Sequence, residues 1–269
     1  MLRKNYKRSG SQEGMRFASK RGQVAVFVIL ALVIVAVVLV IAFYPKIKLP
    51  GGAGATPDPQ QYLTTCLEPF VHSSLERLSR QGGMQEPLGF IVHNDTKIPY
   101  FCYTSEYYKP CMVQQPNVVG LFSRELGQAV VNEARTCVQN FKEEYEGQGY
   151  TISTSTVALN VSFAPKQVNV QLLAPMTITK EFSKTYTSTD LSFESSMYDL
   201  LALAENIVSF ESTYGDSETT LYLRYYPNIR IDKLRLGEGS KIYTISDVIT
   251  GEHFTFASRG LAWPPGYAL

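Results

Sequence analysis

The sequence predicts an α+β fold: antiparallel sheet packed with two or three helices, held outside a membrane by one N-terminal transmembrane helix. Three observations predict it. Residues 24–43 (VAVFVILALVIVAVVLVIAF) contain no charge, no polar side chain, no Gly and no Pro. Two later stretches, near 60–80 and 120–146, repeat apolar residues at three- and four-residue steps. Residues 151–185 alternate apolar and polar side chains with many β-branched ones, the period of a strand.

The apolar run sets location. At about 1.5 Å rise per residue, 20 residues span about 30 Å, the hydrocarbon thickness of a bilayer. A helix is the form that bonds its own backbone there. Arg3, Lys4, Lys7, Arg8, Arg16, Lys20 and Arg21 precede it against one acid, Glu13, and only Lys46 and Lys48 follow closely. That asymmetry places the N-terminus in the cytoplasm and the C-terminal domain outside, in a single-pass cell-membrane topology. A cleaved secretory signal would have an apolar core of about 7–15 residues, with a small-residue site soon after it. Here the first small triplet, Ala53-Gly54-Ala55, lies ten residues past the run. The expected organisation is a basic cytoplasmic tail (1–22), a transmembrane helix (23–44), a Pro/Gly linker (45–59), an extracellular α+β domain (60–258) and a C-terminal tail (259–269).

Charge and cysteines narrow the function classes. Residues 1–22 carry +6, which leaves −5 for the remainder of a +1 chain. A mildly acidic ectodomain argues against a nucleic-acid partner. The bilayer, met through residues 24–43, is the first expected partner, and the basic tail favours anionic lipid heads. Cys66, Cys102, Cys111 and Cys137 all fall outside, where an even number suggests disulfides. Zinc is the alternative, but no C-x-x-C occurs and His72, His93 and His253 are scattered. No cofactor or metal is expected.

Each element has its own signal. Pro45, Pro50, Pro57 and Pro59 with Gly51, Gly52 and Gly54 make a linker no helix crosses. Asp58 is placed to cap a helix with Pro59 at its first position. Leu63, Cys66, Leu67, Phe70, Val71, Leu75 and Leu78 form its stripe, with a kink expected at Pro69 and a stop at Gly82-Gly83. Residues 88–93 and 98–104 read as strands around a turn at Asn94-Asp95. The second helix, 120–146, is striped by Leu126, Val130, Ala134, Cys137, Val138, Phe141 and Tyr145 and stops at Gly147 and Gly149. Strands at 151–162 and 167–185 flank a turn at 164–167. A third helix is expected at 191–212, striped by Met197, Leu200, Leu201, Ala204, Ile207 and Val208. Strands near 219–225, 229–235, 241–245 and 252–257 close the fold.

Three pairings of the cysteines are open. Cys66 and Cys137 lie on the apolar stripes of different helices, so packing those faces would join them. Cys102 and Cys111 flank a Tyr-rich loop and make a natural local bridge. The expected connectivity is therefore 66–137 with 102–111.

Lys20-Arg21-Gly22-Gln23 directly precedes the apolar run and resembles the class III signal of archaeal pilin-like proteins, in which a peptidase cuts after the Gly. The Glu that bacterial pilins carry five residues after the cut is replaced by Phe27. The order that follows is Cys66-Leu67-Glu68, Gln81-Gly82-Gly83, Ile98-Pro99-Tyr100, Cys137 on a second helix, a β hairpin, and a helix like 197–208. It resembles a family of single-anchor surface proteins of small-genome archaea over most of residues 20–257. The resemblance implies location, architecture and a Cys66–Cys137 bridge. It implies no activity, and Cys102 and Cys111 are not part of its pattern.

No G-x-S-x-G, H-E-x-x-H, P-loop or G-x-G-x-x-G after a strand is present. Glu143, Glu144 and Glu146 read as a solvated helix end. Asn94-Asp95-Thr96 and Asn160-Val161-Ser162 are glycosylation sequons. The most suggestive feature is Tyr100, Phe101, Tyr103, Tyr107 and Tyr108 within nine residues. Alternating aromatics in a strand pack a core and its rim. Aromatics with polar tips also form contact surfaces for proteins or glycans, with Tyr103, Tyr107 and Tyr108 as the candidates. The leading expectation is a non-enzymatic cell-surface interaction or envelope component. A pilin-like subunit processed between Gly22 and Gln23 is the second reading, although the linker breaks the long helix a filament subunit would use. An extracellular hydrolase with an unrecognised site is the third.

Overall fold

The computed structural model describes residues 27–35 and 57–264. The chain divides into two compact units, Met1–Thr56 and Pro57–Leu269. In the first, residues 27–35 form helix α1 with every side chain exposed. No helix among the described residues is long and apolar enough to cross a membrane. Most of the expected span 23–44 lies outside the described residues, as do the basic tail, Gly22, Gln23 and the linker as far as residue 56.

The second unit is α+β. Helix α2 (Pro59–Ser79) starts as expected: Asp58 accepts the Gln60 N–H at 3.0 Å and Pro59 stands at the first position. It runs through Pro69 and ends where the Gly83 N–H meets the Leu78 carbonyl. Helix α3 (Val118–Glu146) is capped by Asn117, whose Oδ1 accepts the Gly120 N–H at 2.7 Å. Tyr62 meets Phe141 (ring centroids 5.2 Å apart) while Gly83 abuts Phe122, so α2 and α3 run antiparallel. Both expected stripes are buried between them, apart from Phe70, which is exposed, and Cys66 and Tyr145, which are partly buried.

Among the described residues, twelve strands form three sheets. The largest has the order β1 (Phe90–His93), β2 (Thr96–Tyr103), β12 (His253–Arg259), β11 (Ser240–Asp247), β10 (Ile229–Arg235), with β3 (Met112–Val113) also on β2. Asn94 and Asp95, both at positive φ, make the two-residue turn between β1 and β2. The β2–β12 pair is parallel, which departs from the expected all-antiparallel sheet. Sheet alternation from a sequence carries no strand direction, and here β2 and β12 are joined by no hairpin.

The expected runs 151–162 and 167–185 each break. β4 (Thr151–Thr154), β7 (Met176–Thr179) and β8 (Ser183–Tyr186) form one three-stranded sheet; β5 (Ala158–Ala164), β6 (Gln167–Leu173) and β9 (Thr189–Glu194) form the other. Pro175, with no N–H to give a ladder, separates β6 from β7. The third helix, α4 (Met197–Tyr214), begins later than expected, because Leu191 and Phe193 alternate inward on β9. Glu252 covers its start: it accepts the Ser196 N–H at 2.5 Å and the Ser195 and Ser196 hydroxyls at 2.9 and 2.8 Å. The expected strand at 219–225 is helix α5 (Thr220–Tyr225) instead. Its alternating Leu221, Leu223 and Tyr225 all face out, and Tyr222 bonds to Asn206 of α4 in place of a neighbouring strand.

One core joins the three long helices to the sheets. Phe101, Tyr243 and Phe256 stack in the large sheet, with Phe254 against Phe122 of α3. Burying each Phe contributes about 1.5–3 kcal/mol. The opposite face of the sheet carries a smaller cluster of Ile98, Ile242 and Ala257. Arg259, expected in the tail, closes β12, and Ala262 beyond it is buried.

Candidate functional site

The tyrosine run divides at the end of β2. Phe101 is fully buried, and Tyr100 bonds to Ser240 Oγ at 2.7 Å. Burial raises the Tyr100 hydroxyl above its usual value despite that bond. Beyond it, Tyr103, Tyr107 and Tyr108 are exposed at 39, 41 and 51%. The loop that carries them is closed by Cys102–Cys111 and stitched to residues 259–262 by backbone bonds. Thr104 N–H meets the Arg259 carbonyl (3.0 Å), Tyr108 N–H that of Ala262 (2.9 Å), and Leu261 N–H that of Lys109 (2.8 Å). The Arg259 guanidinium adds a bond to the Thr104 carbonyl and lies 6.0 and 5.5 Å from the Tyr103 and Tyr107 ring centres.

Tyr108 and Leu261 both hold positive φ, at 59° and 49°. For a non-glycine residue this is an uncommon conformation that its surroundings must enforce, and such positions cluster at ligand-facing sites. At Tyr108 it directs the ring edge-on to Trp263 (centroids 5.0 Å apart, 84° between planes). Gly215 and Gly239 make the close approach possible: a Cβ on them would meet Leu261 at 2.0 Å and Ala262 at 2.4 Å.

This aromatic corner borders a cleft of about 820 Å³, within the usual range for small-ligand sites. Asp216, Arg235, Leu236 and Lys241 form other parts of its lining. Beneath lies a buried polar network. Glu211, at the end of α4, is 0% exposed. Its carboxylate accepts from Lys241 Nζ (2.5 Å), Ser258 Oγ (2.9 Å), the Ser217 N–H (2.9 Å) and the Tyr243 hydroxyl. A buried carboxylate is tolerable only with such a full set of donors. Burial, then the Glu211 charge, pushes the Tyr243 hydroxyl far up, so it stays protonated as a donor. Asp216 receives Lys241 at 3.2 Å, Arg235 at 2.6 Å and Lys233. Burial raises its carboxyl, but the Lys233 bond and the Lys241 charge outweigh that and hold it below the usual range.

Chemically the network is a clamp. Ser258 touches a carboxylate, but it is fully buried and shares no contact with an imidazole. His72 is exposed on α2, His93 and His253 sit half-buried at strand ends, and none lines the cleft. No group of three His, Cys, Asp or Glu placed to hold a metal occurs among the described residues.

The other sequence candidates lie apart from the cleft. Cys66 and Cys137 are bonded between α2 and α3. Asn94 is exposed at the β1–β2 turn and Asn160 on β5. Glu143, Glu144 and Glu146 are exposed at the end of α3. Sequence reasoning missed Glu211, Lys241, Asp216 and Trp263. Trp263 is the sole tryptophan and so carried a signal; the acid and lysine are 30 residues apart with no motif between them. No protein-family model, curated protein or solved structure matches the chain.

Proposed function

We propose that this chain is a single-pass membrane protein of the cell surface, of the single-anchor archaeal kind its sequence resembles. The basic residues 1–22 lie in the cytoplasm, residues 24–43 sit in the bilayer and the α+β domain lies outside, where it works by binding rather than catalysis. One observation carries the binding reading: Tyr103, Tyr107 and Tyr108 remain exposed on a loop fixed by a disulfide and by backbone bonds. Rigid aromatics with free polar tips lose little entropy on contact, which is why they concentrate in binding surfaces. The uncharged 20-residue run and the flanking charge support the topology.

The test is binding of the purified full chain to isolated envelopes of the source cell. Replacing Tyr103, Tyr107 and Tyr108 together by Ala should cut retention at least tenfold with the far-ultraviolet circular dichroism spectrum unchanged. Equal retention would reject the tyrosine face as the contact surface. A second reading, a pilin-like subunit cut after Gly22, draws support from Lys20-Arg21-Gly22-Gln23. Native protein starting at Gln23 would favour it, and a retained basic tail would dismiss it.

A further inference from the structure

We infer that the cleft between the Tyr108–Trp263 corner and the Asp216–Arg235 pair binds a neutral saccharide, one pyranose unit of a glycan. The inference rests on the binding reading above and names the class of partner. The two walls differ in chemistry. One presents the Trp263 indole, 53% exposed, set at a right angle to the Tyr108 ring. An L-shaped aromatic corner suits the C–H face of a sugar ring, which is apolar yet bears hydroxyls on its rim. Among the described residues the indole N–H and the Tyr108 hydroxyl make no hydrogen bond.

The other wall presents a carboxylate and a guanidinium side by side, Asp216 Oδ2 and an Arg235 amine nitrogen 2.6 Å apart. The Asp216 side chain is 46% exposed and that of Arg235 67%, which leaves an acceptor and N–H donors side by side. Neighbouring sugar hydroxyls, each at once donor and acceptor, match that pair. Lys241 is ion-paired with Glu211 and Asp216, and Lys233 and Arg235 with Asp216, so three cations share two carboxylates and a neutral ligand breaks none of these pairs.

Trp263 makes the site self-reporting, because the chain has no other tryptophan. The full chain, held in lauryldimethylamine oxide micelles whose head groups contain no sugar, is titrated with methyl glycosides of glucose, galactose, mannose and N-acetylglucosamine. At least one should produce a saturable blue shift of Trp263 emission as ring and water exchange places. Tyr108→Ala and Arg235→Ala, both at exposed side chains, should each weaken that response about tenfold or more, while Phe182→Ala, on the β7–β8 turn, leaves it intact. Absence of a saturable response to any of the four, or a response unaltered in both cleft variants, overturns the assignment. Tyr107, outside the cleft lining, separates the two claims. If Tyr107→Ala still lowers envelope binding while the glycosides fail, the tyrosine face stands and the saccharide cleft falls.

Discussion

Replacing Glu211 by Leu tests the clamp directly. The substitution removes the carboxylate that Lys241, Ser258, Ser217 and Tyr243 all donate to, and leaves Lys241 buried with the Gly215 carbonyl (2.5 Å) and Asp216 (3.2 Å). Breaking a buried ion pair from one side costs about 3–5 kcal/mol, because the remaining charge has lost its compensation. Since Lys241 keeps two partners, the expected loss sits near the lower end, about 3 kcal/mol. For a domain of 150–250 residues that converts to a fall in melting temperature of about 6–12 °C. Circular dichroism of the full chain at neutral pH, scanned thermally, reads it. Lys241→Met should cost a similar amount. The double variant removes both charges but leaves the Tyr243 and Ser258 hydroxyls and the Ser217 N–H without their carboxylate, so it should lose about as much as Glu211→Leu alone, well short of the two single losses added. If the double variant is as unstable as the two single losses added together, the clamp account is wrong and Lys241 and Glu211 act separately.

Four other outcomes follow from the same geometry. Cys66→Ser with Cys137→Ser opens a loop of 71 residues and should lower stability by about 4 kcal/mol. Cys102→Ser with Cys111→Ser opens one of 9 and should cost about 2.6 kcal/mol while abolishing envelope binding; equal binding in both pairs would show that loop closure does not shape the tyrosine face. The lowered carboxyl of Asp216 contributes stability that is fully present above its ordinary value of 3.8 and is lost as pH falls through its lower folded value. Melting temperature should therefore drop more steeply below about pH 4 in the parent than in Asp216→Asn, and parallel curves would contradict this. Gly215→Ala forces a side chain into positive φ against Leu261, so residues 260–263 must shift. A red shift of Trp263 emission is the expected sign, and an unchanged spectrum would place the close approach in doubt.

The helices and hairpins were legible because their signals are local. Asp58-Pro59, Asn94-Asp95 and the stripe from Leu126 to Phe141 each name their structure within a few residues. The misreadings share one cause, which is that alternation does not identify the partner. Leu221, Leu223 and Tyr225 alternate like a strand, but the chain there lies beside α4 with no strand to pair with. Leu191 and Phe193 were absorbed into the helix that follows, although their inward faces belong to β9. The site was legible only in part. Tyr103, Tyr107 and Tyr108 stood out as a cluster, whereas Glu211, Lys241 and Ser258 meet only because α4 lies along β11 and β12.

The parallel pairing of β2 with β12 bears on how the domain is made. Tyr100 is matched with Ala257, so the central seam of the six-stranded sheet closes only after the 156 intervening residues have been synthesised. The sheets β5–β6–β9 and β4–β7–β8, and the bridge between α2 and α3, depend on segments that emerge well before that. Contacts so distant in sequence slow folding, and chains still waiting for them carry an open strand edge. A ribosome that stalls or stops before residue 253 would release a product whose β2 lacks its neighbour, exposing the inner aromatic face beside an unpaired backbone. Quality control of this protein is thus decided by its last strand. Truncations from the C-terminal side that remove β12 should be cleared or aggregate before they reach α4.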